Sequence, residues 1–368
     1  MKIGIDAHAL GTGAGGNETY MRDLLHALSQ QQQPHDITAI TGPSPSDEVR
    51  RAACFPVHAL PSDSSYLRVP FHLPRAAKQL QLDLLHVQYN APPICPCPYV
   101  VSLHDIVWTR FPESLPASVR YRLQWLVPST LRKARRILVL TNAMRDEIAD
   151  YYHVPLAKFD IVQPSCDPLF TRVTDSERVA AVREKYTLPS EFLLYIGAIQ
   201  PRKNIVRLCQ AVAKLHARSI DIPLVIVGKQ AWLVGEMLAQ IKALALGDRL
   251  QFTGYVDRND LPVLLSASSA FAYVSRYEGF GIPVLEALAC GVPTVISDDP
   301  ALREVAGTCA VSAAAGDVDG IADALERALG DDTLRARLQV EGPRRASQFS
   351  LAKMGSSALS AYASAISG

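Results

Sequence analysis

The chain has 368 residues, of which 48% are hydrophobic, 20% charged and 7% aromatic. That length suits two domains, and the apolar content is enough for both to form cores without disulfide staples. Lys and Arg number 37 against 36 Asp and Glu, a formal net charge of +1, which excludes a protein that coats nucleic acid and a long disordered polyelectrolyte.

The opening MKIGIDAHAL is short, carries Asp6 and lacks a small-residue cleavage pattern. It reads as a strand and not as a signal peptide. No stretch approaches the ~20 apolar residues of a membrane span, so a cytoplasmic protein is expected. Seven cysteines, an odd number spread over a long chain, suit reduced thiols. Cys95 and Cys97 have no further ligands at metal-binding spacing, so no metal site is expected there.

Buried-strand runs are predicted at 2–5, 37–41, 84–87, 99–103 and 137–140, with helices at 17–30, 117–133 and 144–152. The alternation then restarts. Strands are predicted at 192–196, 224–227, 250–253, 270–274, 294–296 and 310–311, with helices at 205–216 and 233–244. This is the pattern of parallel sheets covered by helices. The polar, proline-bearing stretch 164–188 reads as a linker, and 351–366 as a final helix. Two doubly wound sheets in tandem predict a crevice between their carboxyl edges, where ligands of such sheets bind.

Four segments carry chemistry. Gly11–Gly16 forms a glycine loop between the first strand and first helix, where backbone N–H groups approach an anion. Its spacing also fits a dinucleotide fingerprint, but the ribose-binding acid expected after the second strand is replaced by Gly42-Pro43. His104-Asp105 follows an inner strand and offers an imidazole to a sugar hydroxyl. Arg202-Lys203 opens a helix after a strand and turn, an arrangement suited to a diphosphate. Glu278 lies in a glycine-flanked loop, and Glu286 in the helix that the loop opens. Asp298-Asp299 is a loop pair with no sign of a metal-binding role.

These segments together resemble the retaining glycosyltransferases of the family 4 type. Glu278 and Glu286 in YEGFGIPVLEALACGVPTV match that family's pair of glutamates seven residues apart. YIGAIQPRKN resembles its phosphate-binding turn, and GYVDRNDLPVLLSAS its nucleotide-base loop. GTGAGGNETY, HDIVWTRFPE and TNAMRDEIADYYHVPLAKFDIVQPSCDPLF match in the family's order, so the resemblance covers nearly the whole chain. Two departures stand out: Ala198 where many members have Arg, and Val274-Ser275 where many have Pro-Ser.

The resemblance implies a GT-B fold, two Rossmann-like α/β domains facing a deep crevice. Residues 1–168 would form the acceptor-side domain, 187–348 the nucleotide-sugar domain, and 349–368 a helix returning to the first. It further implies that Arg202 and Lys203 neutralise the diphosphate leaving group, and that Glu278 and His104 meet the donor sugar. Glu286 would bind the ribose, and Val256 the base through its backbone. Phe280, Gly281 and Ile282 would offer N–H groups, and Gly15 and Gly16 would approach the diphosphate or acceptor. The His-Asp loop and the Pro-Arg-Lys-Asn turn look like those of mannosyltransferases using GDP-mannose, with UDP-sugars next. An NAD-dependent oxidoreductase is the reading from another class, and an inactive sugar-nucleotide-binding partner a third. No metal or other cofactor is expected, and the acceptor would be a glycan or a lipid-linked saccharide. Between Arg110 and Arg136, seven Lys and Arg residues stand against Glu113 alone, interleaved with Tyr121 and Trp125. Such a segment suits either an anionic membrane surface or ordinary helix packing.

Overall fold

A computed structural model describes residues 1–13, 15–32, 35–229 and 235–367. The chain divides into two compact units, one comprising Met1–Ser165 with Phe349–Gly368, the other Cys166–Gln348.

The first unit holds seven strands: β1 (Lys2–Asp6), β2 (Asp36–Thr41), β3 (Val57–Ala59), β4 (Leu84–Gln88), β5 (Tyr99–Ser102), β6 (Arg136–Val139) and β7 (Phe159–Ile161). They pair in the order β3-β2-β1-β4-β5-β6-β7, all parallel. β4 and β5 are buried along their whole length, which explains their continuous apolar character. β3 and β7, each of three residues at a sheet edge, are not among the strands predicted from the sequence; His58 and Asp160 interrupt their apolar runs.

The second unit holds β8 (Leu193–Ile196), β9 (Leu224–Val227), β10 (Leu250–Gly254), β11 (Ala270–Tyr273), β12 (Thr294–Ser297) and β13 (Val311–Ala313). Their order β10-β9-β8-β11-β12-β13 is also wholly parallel. Strand order reverses between β1 and β4 in one unit and between β8 and β11 in the other. In such sheets, ligands bind beyond the carboxyl ends at this reversal.

The stretch read as a linker contains a helix. Asp175 caps a helix, Ser176–Lys185, by accepting from the N–H groups of Glu177 and Arg178. Only Val182 of that helix is buried, which is why no helical periodicity showed. The helix expected at 233–244 begins partly outside the described residues; its described part is Gly235–Ala243. The final helix, Leu351–Ser367, belongs to the first unit. Its Gly355 meets the backbone of Ala27, where any side chain would collide with the Ala27 carbonyl. Its Tyr362 hydroxyl lies 2.7 Å from Nδ1 of His86 on β4. Burial, partly offset by the charge of Asp6, lowers His86 to about 4, so it is neutral at physiological pH.

Candidate active site

In the second unit, two loops flank the strand-order reversal. The first leaves β8 as Gly197–Asn204 and ends in Arg202 and Lys203. Asn204 then adopts a left-handed conformation (φ 63°), which its short amide side chain tolerates, and starts the helix Ile205–Ala217. The second leaves β11 and runs through Glu278 to the helix Ile282–Ala289. Gly281, at φ 97°, makes the turn into that helix, a conformation that favours glycine.

The structure brings Arg202, Lys203 and Glu278 together. Lys203 Nζ donates to Glu278 Oε1 at 2.5 Å, and Arg202 Nη1 lies 3.3 Å from Oε2. All three side chains are mostly buried. Burial opposes a charge on Glu278, but the charges of Lys203 and Arg202 outweigh it and lower the carboxyl to about 2. Lys203 also donates to the Tyr273 hydroxyl at 2.5 Å and sits 4.9 Å from that ring's centre. Tyr273 in turn stacks between Phe271 and Tyr195. The cation is thus fixed from below by an aromatic layer.

The loop bearing Glu278 is tied down at successive residues. Asn204 Nδ2 donates to the Val274 carbonyl at 2.9 Å, and Ser297 Oγ to that of Ser275 at 2.5 Å. Arg276 N–H donates to the Arg202 carbonyl, and Arg202 Nη1 donates to the Tyr277 carbonyl, both at 2.8 Å. Glu278 N–H donates to Asp299 at 3.2 Å. A loop held at each step presents its side chains with little reorganisation.

Phe280 and Glu286 are also buried, at 3% and 6% exposure. Ile282 and Glu286 stand four residues apart and therefore share a helix face. Val256 is buried in the turn after β10. A separate cavity of about 350 Å³ opens beside Asn204, Arg207 and Arg276; Arg202, Lys203 and Glu278 do not line it.

In the first unit, His104 follows β5 and is 5% exposed. Its ring packs edge-on against Tyr20 and Tyr89, and Nδ1 lies 2.9 Å from Asn17 Oδ1. With Nδ1 donating, Nε2 is a buried acceptor without a protein hydrogen bond. Burial, reinforced by His86, lowers His104 to about 3 and keeps it neutral. Its neighbour Asp105 accepts from Val107 N–H at 3.2 Å.

The N-terminal part, residues 14–168, matches the family model described as Glycosyltransferase Family 4. Residues 180–345 match the model described as Glycosyl transferases group 1. The O-antigen chain mannosyltransferase B of Escherichia coli is 33% identical over 72% of this chain and 69% of its own length. The chain belongs to glycosyltransferase family 4. Solved structures agree in fold. Sucrose-phosphate synthase from Thermosynechococcus elongatus superposes with a TM-score of 0.79 at 19% identity, over 99% of this chain and 98% of that one. Anabaena HepE, in complex with UDP and glucose, gives 0.75 at 19% identity over 98% and 99%. The architecture is GT-B.

This glycosyltransferase uses its first glycine loop differently from a dinucleotide-binding enzyme. Gly11 N–H and Gly13 N–H both donate to the Glu18 carboxylate, at 2.9 and 2.8 Å. Glu18, in the first turn of the helix Gly16–Ser29, reaches back as in a capping box. The NAD-dependent reading is therefore corrected by the family match and by the occupation of these two amides. Gly15 and Gly16 have open space where a side chain would stand. Among the described residues, no group of three or more His, Cys, Asp or Glu is placed to hold a metal ion.

The basic stretch of the glycosyltransferase is partly consumed internally. Arg110 pairs with Glu147 at 2.5 Å, and Arg136 with Asp160 at 2.6 Å. Tyr121 and Trp125 of the helix Ala117–Lys133 remain exposed, Trp125 at 80%. Arg122 bonds Ser65 Oγ and lies over the Tyr66 ring, which adds exposed Tyr66 to the same surface. No helix among the described residues is long and apolar enough to cross a membrane.

Sequence reasoning missed Tyr273, Asn17 and Asp299. Asp299 carried a readable signal, an Asp directly before a proline that opens a helix. Tyr273 and Asn17 carried none, since their roles depend on partners distant in sequence.

Proposed function

We propose that this glycosyltransferase moves mannose from GDP-mannose to a hydroxyl of a glycan or lipid-linked saccharide, with retention at the anomeric carbon. The buried pairing of Lys203 and Arg202 with Glu278 carries this reading. It is a preorganised cationic pair at a sheet reversal, and its chemistry suits a departing nucleoside diphosphate. The anomeric carbon–oxygen bond to the diphosphate breaks, and Arg202, Lys203 and the start of the helix Ile282–Ala289 stabilise the charge that develops on it. The acceptor hydroxyl forms the new bond and passes its proton to the departing phosphate. Both carboxylate oxygens of Glu278 are engaged by cations, which favours attack on the leaving-group face over a covalent intermediate on Glu278. Glu286 holds the ribose diol, Val256 the base through its backbone, and Phe280, Gly281 and Ile282 lie alongside the donor. Gly15 and Gly16 leave room for the acceptor or the diphosphate, and His104 Nε2 accepts from a sugar hydroxyl. The cations take the place of a metal ion.

The mannosyl preference draws on the similarity to the O-antigen mannosyltransferase. A UDP-sugar donor is the second reading, favoured by the Anabaena structure's UDP and glucose. Thermal shift with GDP, UDP, ADP and NAD decides the base. GDP should raise the melting temperature most, and transfer from GDP-mannose to an oligomannose or lipid-linked acceptor should follow. A chain stabilised by none of the four, with no sugar released from any donor, sinks the proposal.

The exposed Tyr66, Tyr121 and Trp125, with the basic residues around them, form the surface that would rest on an anionic cytoplasmic membrane face. The protein should pellet with phosphatidylglycerol vesicles at low salt and remain in solution with neutral phosphatidylcholine. Trp125→Glu should weaken the pelleting, and equal recovery in both supernatants counts against membrane docking.

A further inference from the structure

Asp299 stands at the carboxyl end of β12, 7% exposed, and its two oxygens face different parts of the fold. Oδ1 accepts from Ala301 N–H at 3.0 Å and Leu302 N–H at 3.1 Å, capping the helix Pro300–Ala306. Oδ2 accepts from the backbone N–H of Glu278 at 3.2 Å. Helix capping requires only one of these oxygens, and serine or asparagine would perform it as well. The second oxygen joins the capped helix to the residue whose side chain bridges Arg202 and Lys203.

We propose that Asp299 is a positioning residue for sugar transfer, which sets the Glu278 backbone and through it the geometry of the Lys203–Glu278–Arg202 cluster. This rests on the glycosyl-transfer reading of that cluster. Among the ties described above, Asp299 is the one that holds the Glu278 backbone, whereas Lys203 and Arg202 meet its side chain; Asn204, Ser297 and Arg202 hold residues 274–277. Burial raises its carboxyl to about 7, with the Glu278 charge adding to the rise and the three N–H bonds opposing it. A purely structural cap has no need to hold a second acidic group this close to the first, where the two repel. The Glu278 contact gives that placement a purpose.

Two substitutions separate capping from positioning. Asp299→Asn keeps an oxygen for Ala301 and Leu302 but turns an NH2 toward the Glu278 N–H, two donors face to face. Asp299→Ser caps through its hydroxyl and leaves the Glu278 N–H without an acceptor. Both proteins should melt within a few degrees of the parent and bind nucleotide with unchanged affinity. Their kcat should fall by about 10- to 100-fold while the donor KM moves less than about threefold, the signature of an interaction that acts in the transition state. Parental kcat in both variants, or loss of folding in both, would overturn the positioning role and leave Asp299 a helix cap. Absence of transfer and of donor hydrolysis in the parent protein would instead sink the proposed function, so the two failures are distinguishable.

Discussion

Glu278→Gln is expected to lower kcat by about 10²–10³-fold while nucleotide affinity stays within a few-fold of the parent or improves. The glutamine is isosteric, so the loop ties at Val274, Ser275, Tyr277 and residue 278 survive. What disappears is the charge that holds Lys203 at 2.5 Å and Arg202 at 3.3 Å. The two cations are then free of their internal anion, and a nucleoside diphosphate meets a more positive site. Binding is therefore spared, whereas the cations lose their fixed positions and, on the proposed reading, the sugar loses the carboxylate beside it. Stability should respond in a telling way. A buried cation left without its partner costs on the order of 3–5 kcal/mol, so the unliganded variant should melt well below the parent. Saturating nucleotide should narrow that gap, because the diphosphate supplies the missing negative charge. Turnover measured with donor and acceptor, together with calorimetric titration of the nucleotide, checks this. Parental turnover in the variant removes Glu278 from the chemistry.

The sequence made the fold legible wherever a strand was buried on both faces. β4, β5, β8, β9 and β11 are such strands, and their apolar runs need no partner to be recognised. The edge strands β3 and β7 and the polar surface helix Ser176–Lys185 were not legible, because they bury little. At the site, glycine spacing and paired cations pointed to the two loops after β8 and β11. Residues that fix those loops were less visible. Tyr273 looks like any aromatic in a core strand until Lys203 is seen against its ring. Asn204 belonged to a recognised motif, yet its amide spans to Val274 and to Ala315, contacts that only the folded chain creates. The Gly11–Gly13 amides show the opposite case. Their spacing suggested an anion, and the anion they hold is the chain's own Glu18.

Lys203→Met should be the more damaging change, because it removes the same pairing from the other side. Glu278 would remain buried with Arg202 as its only cationic partner, and its carboxyl would rise from about 2 toward the ordinary range. A carboxyl lowered in the folded chain contributes stability above its unfolded value near 4.5, and that stability is lost as pH falls through about 2. The variant forfeits much of this contribution at neutral pH, and its acid unfolding should begin at higher pH than the parent's. Nucleotide affinity should drop as well as kcat, in contrast to Glu278→Gln, because in the proposed function Lys203 meets the diphosphate. A kcat loss of about 10²–10³-fold is expected from removing one preorganised charge contact. The double variant Lys203→Met with Glu278→Gln makes the decisive comparison. Removing both members of a buried ion pair is far less costly than removing one, so the double variant should melt above Lys203→Met alone. Its turnover should stay as low as that of the worse single variant, since stability returns without the groups that act on the donor. If the double variant loses as much stability as the two single variants summed, the cluster is not energetically coupled, and the account of Glu278 as an anion held by Lys203 fails with it.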